Sequence, residues 1–132
     1  MKTLLIHFAC LLLVGCSISP PLEQIKKAKF GPEPDHEIAE KVIKDSLVTY
    51  FVEANSLMHN CTKPKKGWGS EIVEGTFRLG WVIVCDVSRA EEANKRTKAK
   101  RLIYVFNGED LIMINPYGAA KERREYGFFP EP

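Results

Sequence analysis

The 132-residue chain is short of almost everything that announces chemistry. It has no His-Glu-x-x-His, no Gly-rich phosphate loop and no Gly-x-Ser-x-Gly, which excludes the common signatures of zinc proteases, nucleotide binders and serine hydrolases. Only three histidines occur, and neither His36 nor His59 has Ser or Asp partners at a recognisable spacing. Excess charge is small, with 19 basic against 17 acidic side chains. That balance, without a stacking motif, argues against nucleic acid as a partner. There is no internal repeat and no low-complexity tract. The longest N-terminal apolar run, Leu4 to Val14, is 11 residues broken by His7. A membrane-spanning helix takes about 20 residues, so this run is a poor permanent span. The four cysteines contain no Cys-x-x-Cys pair, which removes the usual redox motif. With only His59 nearby, they also fall short of a zinc ligand set.

What the N-terminus does contain is an export signal in three parts. Met1-Lys2-Thr3 is a minimal positive region, Leu4 to Val14 is the apolar core, and Gly15 is the small residue before a cut. The tetrapeptide Leu13-Val14-Gly15-Cys16 resembles the lipobox of bacterial lipoproteins. The resemblance implies diacylglyceryl transfer to the Cys16 thiol, cleavage after Gly15 and acylation of the new amino terminus. Each buried CH₂ contributes about 0.8 kcal/mol, so several acyl chains hold where one is marginal. Ser17, where Asp would imply inner-membrane retention, resembles the outer-membrane class. The expected location is thus the periplasmic face of the outer membrane.

Residues 1–15 are read as signal peptide and 16–34 as the lipidated cysteine with a Pro-rich tether. Pro20, Pro21, Pro32 and Pro34 discourage regular structure there, although Leu22 to Phe30 has room for a turn of helix. Fully extended, residues 17–34 reach at most about 60 Å. The mature chain of 117 residues keeps 18 basic and 17 acidic side chains and suits one domain. Once Cys10 leaves with the signal and Cys16 is acylated, Cys61 and Cys85 remain as an even pair in an oxidising compartment. A disulfide is the favoured reading, with two buried thiols as its competitor. A bridge closing that loop is worth roughly 3.5 kcal/mol in the chain-entropy model.

The expected fold is α+β: one N-terminal amphipathic helix packed on a small, mainly antiparallel sheet with a closing hairpin, over residues 35–115. Asp35 is a candidate N-cap for a helix over about 36–46, whose Ile38, Ala39, Val42 and Ile43 share one face. Val48 to Val52 is β-branched and aromatic and reads as a strand, and the polar stretch 54–70 as loop. Glu71 to Phe77 is a possible strand. Leu79 to Val87 is apolar on both faces and reads as a central, covered strand, with Gly80 marking a bulge or a close contact. Asn107-Gly108 predicts a type I′ hairpin with Tyr104 opposite Leu111, Ile103 opposite Ile112 and Leu102 opposite Met113. Residues 116–132 form a tail, with a possible short helix over Lys121 to Glu125 and Phe128-Phe129-Pro130 as a docking segment.

The candidate binding feature is the basic segment from Arg89 to Arg101. Its Lys95, Arg96, Lys98, Lys100 and Arg101 are placed to meet an anionic partner, such as lipopolysaccharide phosphates or an acidic protein surface. The competing role for these lysines is to guard a strand edge. Trp68 is either an exposed anchor or a core residue. Three stretches together, Val42 to Ser46, Gly80 to Val87 and Arg101 to Gly108, look like a loose group of small proteobacterial envelope proteins. This chain departs from that group at Arg89 to Asn94, where the group tends to carry an Asn-rich, Gly-Gly-Tyr loop. No catalytic residue, metal ligand or cofactor is expected. The functional expectation is a non-enzymatic lipoprotein that binds an envelope component or protein partner; the alternative is an anchored inhibitor or immunity-type protein against a hydrolase or toxin.

Overall fold

The computed structural model describes residues 19–51, 57–70, 76–89, 100–118 and 126–131. The fold is mixed α+β, with two helices and a six-stranded antiparallel sheet among these residues. The helices are α1 (Leu22–Lys27) and α2 (His36–Tyr50). The strands are β1 (Leu57–Cys61), β2 (Lys65–Ser70), β3 (Phe77–Arg89), β4 (Lys100–Asn107), β5 (Asp110–Gly118) and β6 (Tyr126–Phe128). The sheet runs β5-β4-β3-β2-β6, and β1 pairs with β3 beyond the end of β2.

The 13 residues of β3 are the centre of the sheet. Its apolar alternation shows on both faces. Ile83, Cys85 and Val87 join Leu102, Tyr104 and Phe106 of β4 and Ala39, Ile43 and Leu47 of α2 in one buried cluster. Val82 and Val84 join Ile103, Val105 and Met113 in a second cluster on the opposite face. Leu102 to Phe106 are all fully buried, and fully burying such a side chain contributes about 1.5–3 kcal/mol. The second face is closed by curling of the sheet itself. Met113 of β5 occupies the space that a Gly69 side chain on β2 would take. Gly80 marks a close contact, as expected: a side chain there would collide with the Phe106 carbonyl.

Asp35 caps α2, its Oδ1 accepting from the Glu37 and Ile38 amides at 2.9 and 3.4 Å. A cap of this kind contributes about 1 kcal/mol. The helix runs past its expected end. Val48, Thr49 and Tyr50, read as the start of a strand, are helical. Leu47 continues the buried four-residue spacing of Ala39 and Ile43 while Val48 stays 69% exposed, so packing of the stripe overrides β propensity. One buried polar link ties α2 to the sheet. Ser46 Oγ donates to the Ile43 carbonyl at 2.6 Å, so the Tyr104 hydroxyl donates to Ser46 Oγ across 2.7 Å. Burial raises the Tyr104 pKa, partly offset by Ser46.

Stretch 54–70, expected as loop, supplies β1 and β2. Both pair along one edge of β3, Cys61 opposite Cys85 and Lys65 opposite Val82. Three residues, 62–64, thus face two on β3, which is a bulge of one residue. At the bulge Thr62 donates its amide to the Val84 carbonyl at 2.9 Å and accepts the Val84 amide on Oγ1 at 3.0 Å. Glu71 to Gly75 lie outside the described residues.

The closing hairpin forms, with its turn displaced. Asn107 pairs with Asp110, so Gly108 and Glu109 make the turn, with Gly108 at φ 58°. Phe106 therefore faces Leu111. A bulge follows, which puts Val105 opposite Met113 and Tyr104 opposite Ile114. Leu111 keeps the helix-side face, while Met113 moves to the other cluster. β5 passes the boundary expected at residue 115, and the tail returns as β6, paired with β2. Residues 121–125 lie outside the described set.

The Pro-rich stretch is the largest difference from expectation. From residue 19 onward it is strapped to the sheet. Gln24 Nε2 donates to the Phe77 carbonyl at 3.0 Å, Gly108 donates its amide to the Phe30 carbonyl at 3.0 Å, and Trp81 Nε1 donates to the Gly31 carbonyl at 3.2 Å. Phe30 meets Phe129 edge-on at 5.9 Å. Lys66 Nζ sits 5.4 Å from the Phe30 ring and 5.5 Å from Trp81. Gly31 turns at φ 66°, where a side chain would press on Asn107 and Gly108. Pro20 and Pro34 are buried. The prolines preset an extended chain that the sheet accepts, which lowers the ordering cost.

The Ser46–Tyr104 link makes an asymmetric prediction. Tyr104→Phe leaves Ser46 bonded to Ile43 and should cost about 0.5–1.5 kcal/mol, whereas Ser46→Ala strands a buried phenol and should cost about 1–3 kcal/mol. The double variant should cost less than the sum of the singles, as read by denaturant unfolding; additive losses would mean that the two groups do not interact.

Candidate functional site

Strand alternation turns Leu57, His59 and Cys61 of β1 toward α2, while Met58 and Asn60 stay exposed. Cys61 and Cys85 are direct register partners with Cα atoms 4.1 Å apart, and they form a disulfide. The bridge locks the start of the bulge to β3. It also helps line a groove of about 190 Å³ between the first half of α2, the end of β1 and the bulge. Ala39, Ile43, Ile83 and the Cys61 side of the disulfide supply apolar surface, and His36, Glu40, His59 and Lys63 supply the polar groups.

Glu40 is the hub of those polar groups. His36, Glu40 and Lys44 follow one another at four-residue steps on α2. Glu40 lies 3.4 Å from His36 Nε2, 3.4 Å from His59 Nε2 and 3.5 Å from Lys44 Nζ. Its carboxyl is held below the ordinary value of 4.5, chiefly by the His59 hydrogen bond, with Lys44 assisting against partial desolvation. His59 is the partly buried partner, with 19% of its side chain exposed, and His36 is open to solvent. The pairing joins α2 to β1, a contact that sequence spacing could not show because the two residues are 19 positions apart. Among the described residues, no group of three or more His, Cys, Asp or Glu side chains is placed to hold a metal ion. The groove can therefore seat one apolar group of side-chain size and meet a polar head with a carboxylate, two imidazoles and an amine.

Of the residues expected to meet an anionic partner, Lys100 and Arg101 are among those described. Arg101 makes a two-point pair with Asp86, its register partner, at 2.9 and 3.3 Å. It also reaches the Tyr126 hydroxyl at 3.5 Å. Asp86 holds the guanidinium pKa above its ordinary value. The contact joins β4 to β6 across two intervening strands, so Arg101 acts as a tie across the curl. Lys100 is exposed, with its ammonium 5.7 Å from the Phe51 ring. Lys95, Arg96 and Lys98 lie outside the described residues, as does Cys16. Trp68 is a core residue, 7% exposed and edge-on to Phe77 at 5.4 Å.

Among the described residues, no helix is long and apolar enough to cross a membrane. No family model matches the chain, and neither a curated protein nor a solved structure matches it.

The Glu40 cluster predicts an acid-side effect on stability. A carboxyl whose folded pKa is lowered stabilises the fold above its unfolded value, and that contribution is lost as pH falls through the folded value. Thermal melts of Glu40→Gln and the parent should therefore differ in favour of the parent at pH 5.5. The difference should shrink as pH falls below about 4.5; a gap independent of pH would remove the carboxylate from the link.

Proposed function

We propose that this chain is a lipoprotein, anchored through Cys16 to the periplasmic face of the outer membrane. Its domain binds an envelope component or protein partner and carries out no catalysis. The observation that carries the reading is the Cys61–Cys85 disulfide. Structural disulfides persist in oxidising compartments and are rare in the cytosol. That fits export under the Leu13-Val14-Gly15-Cys16 signal.

The occupants of the groove support binding rather than catalysis. Its cysteine is bonded, and its threonine oxygen is engaged with the Val84 amide. Its carboxylate is shared among His36, His59 and Lys44. Among the described residues, no free thiol or unengaged hydroxyl stands beside the His59–Glu40 pair, while the apolar surface and polar rim suit one anchoring side chain of a partner.

Two measurements test this reading. Cys16→Ala should abolish incorporation of labelled palmitate and leave an uncut precursor; normal labelling of that variant would sink the anchor. A photo-crosslinking residue at Lys63, beside the groove, should yield a discrete adduct in intact cells that the same residue at Lys41 does not. Equal adducts from both positions would remove the groove as the binding surface.

A further inference from the structure

We infer that α1 and the strap form a lipid-contacting surface, which seats the domain directly on the leaflet that holds its own acyl chains. The inference rests on the Cys16 anchor proposed above, and it concerns what the strap then does.

Reach sets the first limit. A free tether over residues 17–34 would let the domain stand off by about 60 Å. The docked strap removes most of that length. Only six residue steps separate Cys16 from Leu22, the first residue of α1. Six steps span at most about 21 Å, whatever their conformation. From Leu22 onward the chain belongs to the domain, held by Gln24 to Phe77, Phe30 to Gly108 and Gly31 to Trp81. An acylated Cys16 at the headgroup level therefore places α1 within that distance of the lipid.

The surface delivered there has matching chemistry. Leu22 is 63% exposed, and no residue of α1 is buried. Lys26 falls on the Leu22 side of the helix at the four-residue step, with Lys27 beside it and Lys29 just beyond; Glu23 is the acid in the first turn. An exposed leucine with flanking lysines suits an interface of acyl chains and phosphates. Lysine stems and an isolated leucine are common on soluble surfaces, and it is the short link to Cys16 that commits this one to lipid.

The same geometry gives the domain a direction. Phe30 and Gly31 sit against the Gly108 turn and Trp81, at the Asn107 end of β4. Lys100 starts the opposite end, seven residue steps away, or about 23 Å along a strand. The end of the sheet that carries Lys100 and Arg89 is thereby turned from the strap.

The test uses the full-length acylated protein in vesicles of phosphatidylethanolamine and phosphatidylglycerol, with a photo-crosslinking residue at Leu22 or at Tyr50. Tyr50 is 43% exposed and adjoins Phe51, the ring beside Lys100. Mass spectrometry of the same samples reports acylation. Lipid adducts from Leu22 should exceed those from Tyr50 by at least fivefold. A 15-residue Gly-Ser insertion between Ser17 and Ile18 should bring Leu22 down to the Tyr50 level without changing acylation. Acylated protein that crosslinks lipid equally from both positions, or crosslinks protein from Leu22, overturns the seated surface and leaves the anchor standing. Absence of acylation overturns the anchor, and the seated surface with it.

Discussion

The structure depends on β3 being apolar on both faces and paired along both edges. A strand of this kind cannot lie at the surface, and each demand it makes recruits another part of the chain. Ile83, Cys85 and Val87 need a cover, which α2 supplies through Ala39, Ile43 and Leu47. Val82 and Val84 need another, which the curl supplies by bringing β5 and β6 over the second face. One edge takes β4. The other takes β1 and β2 in succession, and the extra residue at the bulge lets a single run of chain follow a bent strand. The disulfide sits where that run begins to bend, and so holds the register on the β1 side.

That hierarchy explains which parts were legible in the sequence. Leu79 to Val87 was readable because burial of both faces leaves an unbroken apolar pattern. The start of α2 was readable because a cap is a local event, settled by Asp35 and its neighbours. β1 and β2 were not, because Met58, Asn60, Lys65 and Lys66 are exposed and Gly67 and Gly69 carry no pattern. Those strands exist through pairing to β3, and pairing is not written in the strands themselves. The hairpin failed by one residue for a similar reason. Asn-Gly specifies a turn locally, but the bulge at Ile112 serves the packing of Met113 against the far cluster, which local sequence does not report.

Charge and aromatic content misled in one consistent way. Arg101 looked available and is tied to Asp86 and Tyr126. Lys66 looked like loop charge and lies between Phe30 and Trp81. Trp68 looked like a possible anchor and is core. In each case the side chain joins elements far apart in sequence, so counting charges in a segment measures what is present and not what is free. Glu40 is the reverse case. Its four-residue step to Lys44 makes a local pair on α2, and the fold adds His59 from another element and a groove beside it.

The strap ties the chain ahead of α2 to the sheet. A chain bound to its own sheet gives up the volume that a free tether would let it sweep, and with it the gain in local concentration that a long linker distributes over many partners. In return the domain gains a fixed bearing. Helix α2 starts one residue after Pro34 and Asp35, so the groove at His36 and Glu40 follows directly from the strap. Under the Cys16 anchor proposed above, the elements that fix its geometry also fix the height and aspect of the groove. With that anchor, a ligand of the groove would meet it close to the proposed leaflet, in one orientation. This favours a partner that is itself held at the membrane or layered against it over one that diffuses freely.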